Sequence, residues 1–201
     1  MIKSKEDLNY YIESDLRSQN RYPITFKIYL GGVLCPTVWK FQIKMRKLEY
    51  YTNCRNRNIL EKGLNFIRKK RFVAYGIKLG FTIPINVFGP GLCLGHAGTI
   101  IVNSHVKVGS NCRIQAGVNI GNSSPINSSD WVPDNTPTIG NNVYIGPGAK
   151  LFGKISIGDN AAIGANAVVN KDVPAGVTVA GVPAKIVSQK PSSVRHGDSR
   201  V

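Results

Sequence analysis

The sequence is short of acid. Among 201 residues, 26 Lys and Arg stand against 11 Asp and Glu, a net charge of +15. It is also short of metal donors. Histidine occurs three times, and the four cysteines (Cys35, Cys54, Cys93, Cys112) form no CxxC pair and no Cys/His cluster with zinc-ligand spacing. No metal is expected, and the thiols read as buried or free in a reducing compartment. The N-terminus is charged from its third residue and lacks the apolar core of a signal peptide. No uncharged apolar run approaches the length of a membrane span. These absences lead to the expectation of a soluble, cytoplasmic protein. Wholesale disorder is excluded, because 42% of the residues are hydrophobic and 18% charged.

Twenty-one glycines are present, and they are ordered in the sequence. From Val102, steps of six residues meet Val108, Ile114 and Ile120. From Ile139 they meet Ile145, Leu151, Ile157, Ile163 and Val169. Ile, Leu and Val make up 51 of the 201 residues, so ten aliphatics at ten positions is a repeat. Glycine follows at 109, 121, 140, 146, 158 and 164. Four residues after the aliphatic stands a second small or aliphatic residue, as at Val106, Cys112, Val118, Val143, Ala149, Ala161 and Ala167. Each hexad then makes a short strand and a tight turn. Three hexads close a triangular coil, the aliphatics stack inside, and Gly or Asn takes the unusual angles at the turns. A sandwich of alternating strands would show a period of two. The expected fold class is mainly β: a left-handed parallel β-helix of hexapeptide repeats with an α-helical N-terminal region.

The repeat breaks twice. The step from Leu94 to Val102 is eight residues, so the chain is expected to bulge at His96-Ala97-Gly98. The step from Ile120 to Ile139 is nineteen, so residues 122–137 are expected to leave the prism as a loop. Before the prism, residues 5–19, 37–53 and 57–79 carry helical spacing, with Pro23 limiting the first helix and Gly80 closing the last. The expected organisation is a basic helical region over 1–80, a β-helix over 81–188 and a loose polar tail over 189–201. Residues 1–80 hold 17 basic and 6 acidic side chains, an uneven split that suggests a separate task for this region.

Four stretches carry a resemblance: Leu94-Gly-His-Ala-Gly, Ile145-Gly-Pro-Gly-Ala-Lys-Leu-Phe-Gly-Lys-Ile, Ile163-Gly-Ala-Asn-Ala-Val-Val and Ala180-Gly-Val-Pro-Ala-Lys-Ile. The chain resembles the serine O-acetyltransferase branch of the hexapeptide acyltransferases, over about residues 82–188. The resemblance implies a homotrimer with acetyl-CoA lying between adjacent prisms, and direct acetyl transfer to a hydroxyl. His96 falls on the family's catalytic histidine, a general base with a pKa suited to neutral pH. His105 is expected at the surface and His196 in the tail. Pro147, Ala165, Asn170, Lys171 and Lys185 fall where relatives line the CoA groove. The two lysines read equally as phosphate contacts or as solvated surface charges.

The departures from the family pattern bear on the acceptor. The family's Asp partner of the histidine is Phe81 here, the Asp before the histidine is Gly95, and the Arg-His pair before the loop-closing proline is Asn135-Thr136. Those groups are expected to grip a free amino acid. Their loss, with a loop about five residues longer than the family pattern, turns the reading to a saccharide or polysaccharide-precursor hydroxyl. Gly95, Asp130, Trp131 and Asp134 are the candidate acceptor-side residues; Trp131 reads equally as a loop anchor or trimer contact. The alternatives are an L-serine O-acetyltransferase of cysteine biosynthesis, an amino-sugar N-acetyltransferase and a non-catalytic prism. A carbonic-anhydrase-like zinc enzyme needs three histidines that the repeats do not hold. Arg68-Lys-Lys-Arg71 reads as a solvated helix face or as a peripheral contact with the inner membrane surface. No nucleic-acid motif accompanies it.

Overall fold

The computed structural model describes residues 1–19, 37–55, 58–123 and 135–190. Helix α1 (Lys5–Ser18) opens on a capping box. Ser4 Oγ accepts from the Asp7 N–H at 3.0 Å, and Asp7 Oδ2 accepts from the Ser4 N–H at 3.1 Å. Helix α2 (Thr37–Tyr50) continues into a π-helical turn, Tyr51–Arg55. Helix α3 (Ile59–Leu79) starts at Asn58, whose side chain accepts from the Glu61 N–H, and ends at Gly80 with φ +78°. Only a residue without Cβ takes that angle cheaply. Pro23 lies outside the described residues.

The remainder coils as a triangular prism with three parallel faces. One face is built from β1 (Phe81–Thr82), β3 (Ile100–Val102), β6 (Asn119–Gly121), β9 (Lys150–Phe152) and β12 (Val168–Val169). The second holds β4 (Lys107–Val108), β7 (Thr138–Ile139) and β10 (Ser156–Ile157). The third holds β2 (Cys93–Leu94), β5 (Arg113–Ile114), β8 (Tyr144–Ile145), β11 (Ala162–Ile163) and β13 (Thr178–Ala180). The chain finishes on β14 (Lys185–Ser188), which turns back antiparallel along β13. The fold is a left-handed parallel β-helix preceded by helices.

All ten repeat aliphatics are buried, as are the nine described residues four positions on. Each fully buried aliphatic contributes roughly 1.5–3 kcal/mol, and stacking is what supplies that burial. The turn angles fall on Gly and Asn, as the repeat suggests, with Gly117 at φ +82° and Gly148 at +74°. Asn111, Asn142, Asn160 and Asn166 take φ of 55–60°. Asn111 Nδ2 donates to Asn142 Oδ1 and Asn142 Nδ2 to Asn160 Oδ1, each at 3.0 Å, a ladder up one prism edge. The glycines directly after the aliphatics are needed for close approach instead. A Cβ on Gly146 would meet Ile163 O at 2.8 Å and Ala165 N at 2.9 Å.

The helices close the first end of the prism. Phe41, Met45, Leu48 and Phe72 join one apolar cluster with Phe81, Ile83 and the stacked aliphatics. Phe41 stacks on Phe72 at 4.8 Å and meets Phe81 edge-on at 5.0 Å. Beside this cluster lies a fully buried charge group. Arg46 binds both oxygens of Asp15 (2.8 and 3.2 Å), Glu49 (3.1 Å) and the carbonyls of Phe88 and Gly89. Asp15 also accepts from the Leu92 N–H at 2.8 Å. Burial pushes the Asp15 and Glu49 carboxyls up, and the Arg46 guanidinium pulls against it.

Candidate active-site edge

The strand register decides which candidates meet. Leu94 pairs with Ile114, Ile114 with Ile145, Ile145 with Ile163, and Ile163 with Val179. Two residues further along each coil lie positions 96, 116, 147, 165 and 181. His96, Ala116, Pro147 and Ala165 therefore share one prism edge, at about 4.8 Å per coil. Beyond the edge, the Gly148 N–H donates to Ala116 O and the Asn166 N–H to Pro147 O.

The first coil departs from this ladder. There the Gly117 N–H donates to Thr99 O at 2.6 Å, so His96-Ala97-Gly98 is thrown out of the register. The Gly98 N–H is caught instead by Leu79 O, at the end of α3, at 2.9 Å. The eight-residue step thus produces an outward turn carrying an exposed His96. Among the described residues, none hydrogen-bonds the His96 ring.

The CoA-side candidates divide. Pro147 and Ala165 are exposed on the His96 edge. Lys185 pairs with Ala180 at the end of the same face. Asn170 and Lys171 follow β12 and so lie on the next edge, across the face that links the two. Pro147 and Ala165 are small and stand exposed one coil apart, each after a glycine.

On the acceptor side, Gly95 precedes the turn. The Gln115 carboxamide occupies the space where a Gly95 side chain would stand, with Cδ 2.9 Å and Nε2 3.1 Å from such a Cβ. Gln115 was not singled out from the sequence. The signal was present, since it fills a position that is glycine in three of the four other coils on this edge, at 95, 146 and 164, and Ala180 in the last. Phe81 is buried in the core, so it offers His96 no polar partner. Asp130, Trp131 and Asp134 lie outside the described residues. The feet of their segment are tied: Asn135 Nδ2 donates to Ser123 Oγ at 2.9 Å, and Asn135 Oδ1 accepts from the Lys154 N–H at 2.8 Å.

His105 is exposed, with Nδ1 3.2 Å from Asn103 Oδ1. His196 and Cys35 lie outside the described residues. Among the described residues Cys54, Cys93 and Cys112 form no disulfide, and burial pushes the Cys112 thiol up. Among the described residues no group of His, Cys, Asp and Glu has the makings of a metal site. No described helix is long and apolar enough to cross a membrane.

Residues 136–171 match the family described as bacterial transferase hexapeptide (six repeats). The serine acetyltransferase of Buchnera aphidicola subsp. Acyrthosiphon pisum is 40% identical over 117 residues, which cover 58% of this chain and 41% of that protein. The chain thus spans about two fifths of that relative. The serine acetyltransferase of Neisseria gonorrhoeae in complex with serine superposes with a TM-score of 0.66 at 29% identity, covering 92% of this chain and 71% of the other. A serine acetyltransferase in complex with CoA superposes with a TM-score of 0.66 at 27% identity, covering 91% and 71%. The likeness to serine acetyltransferases holds in sequence and in fold.

Proposed function

We propose that this chain moves an acetyl group from acetyl-CoA to the hydroxyl of a small acceptor, with His96 as general base. The observation that carries the reading is His96 thrown out of the coil ladder onto an edge it shares with Pro147 and Ala165. The imidazole takes the hydroxyl proton as the oxygen attacks the thioester carbonyl. The tetrahedral oxyanion collapses, the C–S bond breaks, and the imidazolium returns the proton to the leaving CoA thiolate. General-base help of this kind is worth roughly 10²–10⁴ in rate.

The CoA arm runs past Pro147 and Ala165, between prisms of a homotrimer. Lys185 and, from the next edge, Asn170 and Lys171 meet its polar end. The exposure of all five residues and the superposed CoA complex support this placement. L-serine is the acceptor that the comparisons favour, because the relatives named above are serine acetyltransferases and one superposed structure holds serine.

A saccharide hydroxyl is the second reading, favoured by one feature of the site. Position 95 carries no carboxylate and is covered by the neutral Gln115 amide, an environment suited to an uncharged polyol. On this reading Asp130, Trp131 and Asp134 serve the acceptor from the loop. A cytoplasmic location with peripheral contact at an inner-membrane surface belongs to the same proposal and draws support from the exposed lysines of α3.

The test is CoA release from acetyl-CoA with L-serine and with a saccharide panel, run beside His96→Ala. Turnover is expected to fall at least 10²-fold in the variant, with acetyl-CoA affinity held. Near-normal turnover would remove His96 as base. Release with serine selects the first acceptor, and release with sugars alone the second.

A further inference from the structure

Helices α2 and α3 lie side by side, joined through the π-helical turn. Between them is a cavity of about 250 Å³. Its rim carries four cations, Lys44 and Lys47 from α2 and Arg68 and Arg71 from α3, over a floor of Leu48 and Phe72. Each pair is spaced i,i+3, so both members reach the same side of their helix. Among the described residues no carboxylate lines the cavity. Nearby acids are engaged elsewhere: Asp15 and Glu49 bind Arg46, and Glu61 lies 3.8 Å from Arg55.

Arg68 is already in place for a ligand. Its guanidinium lies 3.9 Å from the centre of the Tyr51 ring, which fixes its plane. Its Nη1 is shut off from solvent and has no hydrogen-bond partner among the described residues. A buried, charged donor without an acceptor is costly, and four like charges around one notch repel. A multivalent oxyanion answers both, with its oxygens taking the guanidinium forks and the lysines acting as point charges.

We propose that the α2/α3 cavity binds a phosphate group, free or esterified. Its size is below that of pockets enclosing drug-sized ligands, about 300–1,000 Å³. It therefore takes the phosphate end of a compound and leaves the remainder outside. Two sources share this chemistry, a soluble phosphate compound and a lipid headgroup. The outer stripe of α3 favours the lipid. Ile59, Phe66, Val73 and Ile77 fall on one helical line and are exposed at 90, 60, 48 and 70%, with exposed Lys62, Lys69 and Lys70 beside them.

The experiment uses the full chain and two probes. Inorganic pyrophosphate is titrated by calorimetry. Vesicles containing phosphatidylglycerol are compared with phosphatidylcholine vesicles by co-sedimentation. Saturable pyrophosphate binding that weakens at least tenfold in Arg68→Gln supports the site with a soluble ligand. Sedimentation with phosphatidylglycerol alone, lost in both Arg68→Gln and Phe66→Ser, supports it with a lipid. A Lys44→Gln/Lys47→Gln variant changes only exposed side chains and carries the same test if Arg68→Gln fails to fold. Failure of both probes to bind overturns the proposal. So does binding that survives the substitutions, or pyrophosphate binding that CoA displaces competitively, since the anion would then occupy the acetyl-donor groove. Acetyl transfer to an acceptor is read separately, so its presence or absence does not decide this outcome.

Discussion

Gly146 shows how little room one prism edge leaves. No positive φ demands glycine there, yet a Cβ would press on the backbone of the next coil at 2.8 and 2.9 Å. Backbone cannot swing aside as a side-chain end can. Gly146→Ala is therefore expected to destabilise the fold by about 1–3 kcal/mol, read as a lowered midpoint in urea. The same edge carries His96, Pro147 and Ala165. Gln115 marks the contrary case, a side chain placed where glycine is the rule, and it lies over the residue before the histidine.

At the scale of elements, α3 is stiff at its ends and soft within. Asn58 caps its start and Gly80 its finish, but Gly63 stands in its second turn with nothing within 4 Å of a Cβ. Gly63→Ala is expected to stabilise the protein by about 0.5–1 kcal/mol, seen as a raised thermal midpoint. The charge group between α1 and α2 works in the opposite direction. Arg46→Leu strands Asp15 and Glu49 in the interior, and a loss of about 3–5 kcal/mol is expected in equilibrium unfolding. The period of six made the prism, its face-forming aliphatics and the outward turn at His96 legible in the sequence, because each repeat position has one physical duty. The Arg46 group was not legible. Its partners are 31 residues apart at Asp15 and 43 at Gly89, and no local pattern links such positions. Gln115 was readable only as an exception to a rule that first had to be recognised. The turn angles were legible too, since Gly or Asn takes them as the repeat implies, but the close approach at the glycines directly after the aliphatics was not, because steric exclusion and a left-handed angle select the same residue.

For the whole molecule, the helices and the prism share one apolar cluster, with Phe41, Phe72 and Phe81 at the junction. A single prism, however, offers only one wall to an acyl-donor arm. Light scattering is therefore expected to return three chain masses, or a multiple of three, and a monomer that still turns over would move the donor site off the groove between subunits. Residues 1–80 hold 17 of the 26 basic side chains, so the chain carries most of its positive charge on the helical side of this junction.

The knot at Asn135 has a consequence for how this scaffold diversifies. Ser123, Asn135 and Lys154 clip together the two points where the chain leaves and rejoins the coil. With the exits pinned, doubling the intervening length adds only about 0.6 kcal/mol of closure entropy. The stretch from 124 to 134 is then an exchangeable cassette. Grafting another sequence between the clips is expected to leave the stacked coils, and the histidine they present, as they are.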